Sequence, residues 1–266
     1  MRDSYPNRNR AKGFTLVELA VVVVVISLLL GALLIPLQTQ IGQRNVSDTR
    51  QRLAQIHDAL IAYAIAQGRF PCPASATGGG VESFAGGGTP ANGNCLHFFD
   101  GYVPGTTLGL SNVDSQGYAL DAWGLQQNRI RYAITNAIIG TTTPTFTQSN
   151  GMRTAGIQLL GTTYPYLSVC VSYLTIQPTA CSTIAPPTND PNALSRGDAV
   201  FVLVSLGKNA GTTSPGGPDE QANLAGTPVF VSKTASDQTA NEFDDLVLWG
   251  SRYEVIGQLV SAGQLP

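Results

Sequence analysis

From Phe14 to Ile35 every position is apolar except Thr15, Glu18, Ser27 and Gly31. A segment of about 20 such residues is what a helix needs to cross the hydrocarbon core of a bilayer. Val21 to Val25 are five consecutive β-branched residues, a run that water-soluble helices avoid. In lipid the backbone must satisfy its own hydrogen bonds, so helix is enforced there against that propensity. Gly31 and Pro36 interrupt the pattern; the pair is compatible with local melting of the helix or with a kink at the membrane surface.

Beyond Pro36 the composition turns polar while helical spacing persists. Ile41, Thr49, Leu53, Ile56, Leu60 and Tyr63 follow mostly three- and four-residue steps, with Arg44, Arg50, Arg52 and Asp58 largely off that line. The pattern stops at Gln67-Gly68 and Pro71 follows, a helix stop signal. One helix from Phe14 to about Gln67 would run about 80 Å, its first half apolar all round and its second half with one face for a globular head. His57 lies on this stem and reads as a solvated or packing residue.

Residues 69–266 are ample for a single core. Strand-like runs are Arg129–Ile134, Gly156–Leu160, Tyr166–Tyr173, Ala199–Leu206, Pro228–Ser232 and Asp245–Trp249. Stretches rich in Gly, Pro, Thr and Asn separate them. Ser251 and Glu254 form a Ser-x-x-Glu capping box ahead of Val255, Ile256, Leu259 and Val260, which predicts a C-terminal helix ending near Gly263. The fold class is therefore α+β: a long N-terminal helix, half transmembrane and half amphipathic, packed on an antiparallel sheet head. The expected domains are a leader over 1–13, a stem helix over 14–68 and a β-rich head over 69–266.

Charge sharpens this picture. Only 12% of residues are charged and Lys occurs three times. Arg2, Arg8, Arg10 and Lys12 stand against Asp3 ahead of the apolar run, so the N-terminus is expected on the cytoplasmic side. Subtracting that leader's net +3 from the chain's −2 leaves −5. Nucleic acid is not expected as a partner, because its footprint is a basic stripe. Four cysteines fit an oxidising compartment. Proximity suggests Cys72–Cys95 and Cys170–Cys181, although three connectivities are formally allowed; a four-cysteine zinc site lacks any Cys-x-x-Cys spacing.

Catalytic sets are missing from the sequence. The only histidines are His57 and His97, and there is no Gly-x-Ser-x-Gly elbow, Walker loop or dinucleotide fingerprint. The chain is expected to be no enzyme. Phe98, Phe99 and Tyr102 are read as exposed aromatics where a binding head would make contact, and His97 beside them as a surface or packing residue.

A secretory signal would be cut after its apolar run and would not carry Glu inside it. Here Gly13-Phe14-Thr15-Leu16-Val17-Glu18-Leu19 puts the junction ahead of the run. This resembles the class III signal of type IV pilins and type II secretion pseudopilins. The resemblance implies cleavage by prepilin peptidase between Gly13 and Phe14, N-methylation of Phe14, and an assembly role for Glu18 paired with the Phe14 amine of a neighbouring subunit. It implies further partners: other pilin or pseudopilin subunits, an inner-membrane assembly platform and the membrane. The protein would be single-pass in the inner membrane with a periplasmic head, then part of a pilus or pseudopilus. Arg69-Phe70-Pro71-Cys72-Pro73, Asp121-Ala122-Trp123-Gly124 before Arg131-Tyr132, and Ser205-Leu206-Gly207 are similar to segments of such proteins, and the head's size suits a minor subunit. In major pseudopilins the loop after Ser-Leu-Gly binds calcium; by that likeness Asp219, Asp244 and Asp245 are the ligand candidates, opposed by Lys208, and no other cofactor is expected. Solvated acids capping a helix or strand are the competing reading. The alternative function is a membrane-anchored binding module for adhesion, cargo or DNA that is not built into a filament.

Overall fold

The computed structural model describes residues 13, 15–161, 166–172, 193–195, 197–211, 216–238 and 241–265, with the backbone alone for 32–38. The chain divides into two compact units, Met1–Arg44 and Asn45–Pro266.

Helix α1 spans Leu16–Gln67 and is helical through Gly31 and Pro36. In the first unit its apolar side chains from Leu16 to Leu30 are exposed. Among the described residues no helix is long and apolar enough to cross a membrane; the described side chains of the apolar run stop at Gly31. Ile41, expected on the buried face, is exposed.

In the second unit α1 contributes Thr49, Leu53, Ile56, Leu60, Ile61 and Ala64 to the buried interior. The helix ends where the sequence places its stop, with Gly68 at φ +68° in the left-handed region that glycine tolerates. A four-stranded antiparallel sheet follows, in the order β1 (Gly101–Tyr102), β2 (Arg131–Ile134), β4 (Ala199–Ser205), β6 (Leu246–Ser251). All seven residues of β4 are buried, because the strand is covered on both faces. Phe201 and Leu203 join Ile134, Tyr132, Leu60 and Leu53 on the stem side. Val202 and Val204 join Leu167, Val169 and Phe230 on the other. A register shift between Ala199 and Phe201 marks a bulge, which resets the alternation at the start of the strand.

The second face is covered by a small parallel pair, β3 (Ser168–Cys170) with β5 (Val229–Val231), and by helix α4 (Pro218–Leu224). Helices α2 (Gly105–Leu108) and α3 (Gly151–Ala155) are single turns. The predicted strand at Gly156–Leu160 is instead a 3₁₀ helix, with Leu159 buried and Ile157 exposed. Helix α5 (Arg252–Ser261) starts as the sequence predicts, Ser251 Oγ accepting from Glu254 N at 3.2 Å.

Two sequence segments singled out above meet at one point. Asp121 is buried and accepts from Ser205 Oγ at 2.7 Å, Asn128 Nδ2 at 3.0 Å and Trp123 N at 3.0 Å. Asn128 Nδ2 also donates to Gly207 O at 2.7 Å. The Asp-Ala-Trp-Gly turn is thereby tied to Ser205-Leu206-Gly207, and it is tied to the stem by Ala122 N on Thr49 Oγ1 at 3.0 Å and Arg52 Nη1 on Leu120 O at 3.1 Å. Burial pushes the Asp121 carboxyl above its usual range, against the hydrogen bonds from Ser205 and Asn128.

Cys72 and Cys95 are disulfide-bonded, with Cα atoms 5.3 Å apart. Beside them Arg69 makes a bidentate pair with Glu82, both bonds 2.7 Å, and reaches Tyr63 Oη at 3.0 Å. Cys170 is also disulfide-bonded; Cys181, its expected partner, lies outside the described residues.

Candidate functional sites

The N-terminal segment is built on a helix start. Gly13 precedes the helix, exposed and with open space where a side chain would stand, while Phe14 lies outside the described residues. Glu18 N donates to Thr15 Oγ1 at 3.2 Å and Thr15 N donates to Glu18 Oε2 at 3.5 Å. This is a reciprocal capping box, legible as Thr-x-x-Glu in the sequence and missed there. Glu18 thus has a local role within its own chain: it satisfies an orphan N–H and places negative charge at the positive end of the helix. The exposed apolar surface that follows is far beyond what a soluble monomer presents.

In the head, Glu220 of α4 meets Asp244 and Asp245 just before β6, one oxygen of each within 4.8 Å of the others. Glu220 and Asp245 are buried. Glu220 Oε2 accepts from Asn209 Nδ2 at 3.0 Å and Oε1 from Asp244 N at 2.6 Å. Asp245 Oδ2 accepts from Asn223 Nδ2 at 2.8 Å. Asp244 Oδ2 accepts from Lys208 N at 3.0 Å, while its Oδ1 is buried with no hydrogen-bond partner. The loop can come this close because Gly207, at φ +63°, lacks a Cβ, which would lie 2.4 Å from that Oδ1.

Burial, and then the Glu220 charge, push the Asp244 carboxyl up to about 7. Burial likewise holds Asp245 well above the carboxylate range. Lys208, expected to oppose a cation here, turns its ammonium to Asp237 at 3.2 Å and Glu242 at 3.9 Å. An adjoining cavity of about 220 Å³ is lined by Glu220, Asp245, Arg131, Tyr102 and Asn209 among others. Three carboxylates, one of them with an unsatisfied buried oxygen, form a hard oxygen donor set that fits a divalent cation of the calcium type.

Asp219 stands apart from this group, although it was expected in it. As the neighbour of Glu220 on a helix it points about 100° away, and it is bonded to Ser172 Oγ at 2.9 Å, Asn241 Nδ2 at 2.8 Å and Lys233 Nζ. Glu220 was the ligand candidate that sequence reasoning missed; its place beside Asp244 depends on long-range packing that no spacing announces. The aromatic group also differs from expectation. Phe98 packs against the stem-side core and Phe99 against the opposite one, and Tyr102 stacks edge-on with Tyr118 at 5.7 Å. His97 pairs with Asp100 at 3.0 Å. His57 packs on Phe201 at 5.3 Å and reaches Glu254 at 3.4 Å.

The family described as the prokaryotic N-terminal methylation motif matches residues 8–34. That N-terminal segment resembles the signal of type IV pilins and pseudopilins, and in sequence it precedes an α+β head with an antiparallel four-stranded sheet. No curated protein and no solved structure matches it. The signal implies processing by a prepilin peptidase and association with other pilin-type subunits.

Proposed function

We propose that this chain is a minor structural subunit of a type IV pilus or a type II secretion pseudopilus. Prepilin peptidase cuts between Gly13 and Phe14, Phe14 is methylated, and the apolar first half of α1 holds the subunit in the inner membrane with its head in the periplasm. On assembly the exposed apolar side chains of Leu16 to Leu30 exchange lipid for the helices of neighbouring subunits. Glu18 then leaves its own cap to meet the amine of Phe14 on a neighbour, an ion pair that offsets the desolvation of both charges.

The observation that carries this reading is the match of the methylation motif to residues 8–34, a span that includes Gly13, Phe14 and Glu18. Incorporation into filaments tests it. The chain is co-expressed with a pilus assembly system, and sheared surface filaments are probed for the head. Wild type is expected in the filament fraction and Glu18→Ala is expected to stay in the membrane. Equal recovery of both in filaments would remove the assembly role of Glu18, and absence of both would remove the structural reading.

The acidic group supports a second, local element of this proposal. Glu220, Asp244 and Asp245 hold a calcium ion that neutralises their mutual repulsion and fixes the loop after Ser205-Leu206-Gly207 to β6.

A further inference from the structure

Lys233, Asp219 and Asn241 form a second polar cluster next to the acidic group. Asp219 is fully buried and Lys233 half-buried, its side chain 20% exposed. Lys233 follows β5, and Asn241 lies near it, with Ser236 bridged to Phe243 and Asn241 N donating to Gln238 O at 2.9 Å. The apolar residues beside the cluster are Ala222, Val231 and Phe243, all buried. The Lys233 ammonium lies 5.1 Å from the Phe243 ring centroid. Gly217 permits the approach: a Cβ there would lie 2.4 Å from Asn241 Cα.

One oxygen joins the three groups. Asp219 Oδ2 accepts both from Lys233 Nζ and from Asn241 Nδ2. The carbonyl side of the same amide, Asn241 Oδ1, accepts from the backbone N of Asp219 at 3.4 Å. An amine nucleophile, an amide nitrogen that can leave, a carboxylate touching both, and an N–H on the amide oxygen are the components of acyl transfer to an amine. An ion pair alone accounts for the Lys233–Asp219 contact, but not for the amide of Asn241 being held at both ends by Asp219.

We propose that Lys233 and Asn241 join in an autocatalytic isopeptide bond, with Asp219 as the proton relay. Asp219 Oδ2 takes one proton from the Lys233 ammonium, leaving a neutral amine. The Nζ lone pair attacks Asn241 Cγ, and the charge that develops on Oδ1 is met by the Asp219 N–H. A second proton passes from Nζ to Nδ2, the Cγ–Nδ2 bond breaks and ammonia leaves. The proton held by Asp219 departs with it as ammonium or stays on the carboxyl. One Cγ–Nζ bond replaces one Cγ–Nδ2 bond, with no oxidant, metal or cofactor. The product ties residue 233 to residue 241 beside α4, which closes a short loop in the unfolded chain.

Peptide mass mapping of the purified full chain, reduced and denatured before digestion, tests this. Trypsin cuts after Lys208, Lys233 and Arg252 in this region. The wild type is expected to resist cleavage after Lys233 and to give one 209–252 peptide short by one ammonia. Asp219→Ala and Asn241→Ala are each expected to restore cleavage after Lys233 and the full mass. Normal wild-type cleavage after Lys233 overturns the proposal, even with ammonia missing, since a cyclic imide at Asn241 loses ammonia without blocking Lys233. Loss of water in place of ammonia also overturns it, because the acyl donor would then be a carboxyl. A bond that still forms in Asp219→Ala removes the relay.

Discussion

Thr15 and Glu18 hold each other's backbone at the start of α1, Glu18 N on Thr15 Oγ1 at 3.2 Å and Thr15 N on Glu18 Oε2 at 3.5 Å. The residue proposed to pair with a neighbouring subunit is therefore also the cap of its own helix. These two roles separate by substitution, because Gln serves a capping box as well as Glu does while carrying no charge. Glu18→Gln is expected to keep the helix start and lose filament incorporation; Glu18→Ala loses incorporation and, with it, the bond from Thr15 N to the residue-18 side chain, at about 0.5 kcal/mol of helix stability. Circular dichroism in detergent and the sheared-filament yield read the two effects. Normal incorporation of Glu18→Gln would show that the cap, and not the charge, is what assembly needs.

The acidic group ties stability to pH. The carboxyls of Asp244 and Asp245 are raised in the folded state, so their contribution is fully present below the unfolded carboxylate range. It is lost as pH rises, through about 7 for Asp244. Cation-free protein is expected to melt at lower temperature at pH 8 than at pH 6, and calcium to reverse the loss at pH 8 by mass action. Glu220→Gln should flatten the pH dependence and weaken the calcium effect. A melting temperature that ignores calcium at pH 8 would remove the cation from the account.

Arg69 is buried and Glu82 largely so, their side chains 7% and 12% exposed. Removing one partner strands a buried charge, which costs about 3–5 kcal/mol. Glu82→Gln is therefore expected to destabilise the protein by about 3 kcal/mol in a denaturant titration. Replacing Cys72 and Cys95 together by Ala should cost about 3 kcal/mol for a loop of sequence separation 23. The two changes sit on one segment, so their combination is expected to fall short of the sum.

Leu60 is fully buried where the stem meets Phe201 and Leu203 of β4. Leu60→Ala is expected to cost about 3 kcal/mol, transfer and cavity terms together. The same substitution at Leu28, whose side chain is exposed, should leave the melting of the head unchanged. Equal effects at the two positions would contradict the assignment of the head's core to the second half of the helix.

Local signals carried most of what the sequence foretold. The stop at Gln67-Gly68, the Ser251–Glu254 cap and the buried run of β4 each announce themselves within a few residues. Gly156–Leu160 misled because a short apolar run has no decisive period; the chain turns at Gly156, at φ +52°, into a 3₁₀ helix that buries only Leu159. The parallel pairing of β3 with β5 joins distant segments, and no local pattern encodes it. The same holds for the candidate sites. Gly13 and Glu18 are legible as a contiguous motif, and Asp244-Asp245 as adjacent acids. That Glu220 faces them while Asp219 turns to Lys233 is decided by which side of α4 packs inward.

Every assembly step proposed for this chain starts from removal of residues 1–13 by cleavage after Gly13. The most direct test is the N-terminal sequence and intact mass of the membrane-extracted protein, made with and without a co-expressed prepilin peptidase. Peptidase-dependent loss of residues 1–13, leaving methylated Phe14, is the predicted result. An uncut chain in the presence of the peptidase, or a cut beyond Ile35, would contradict it.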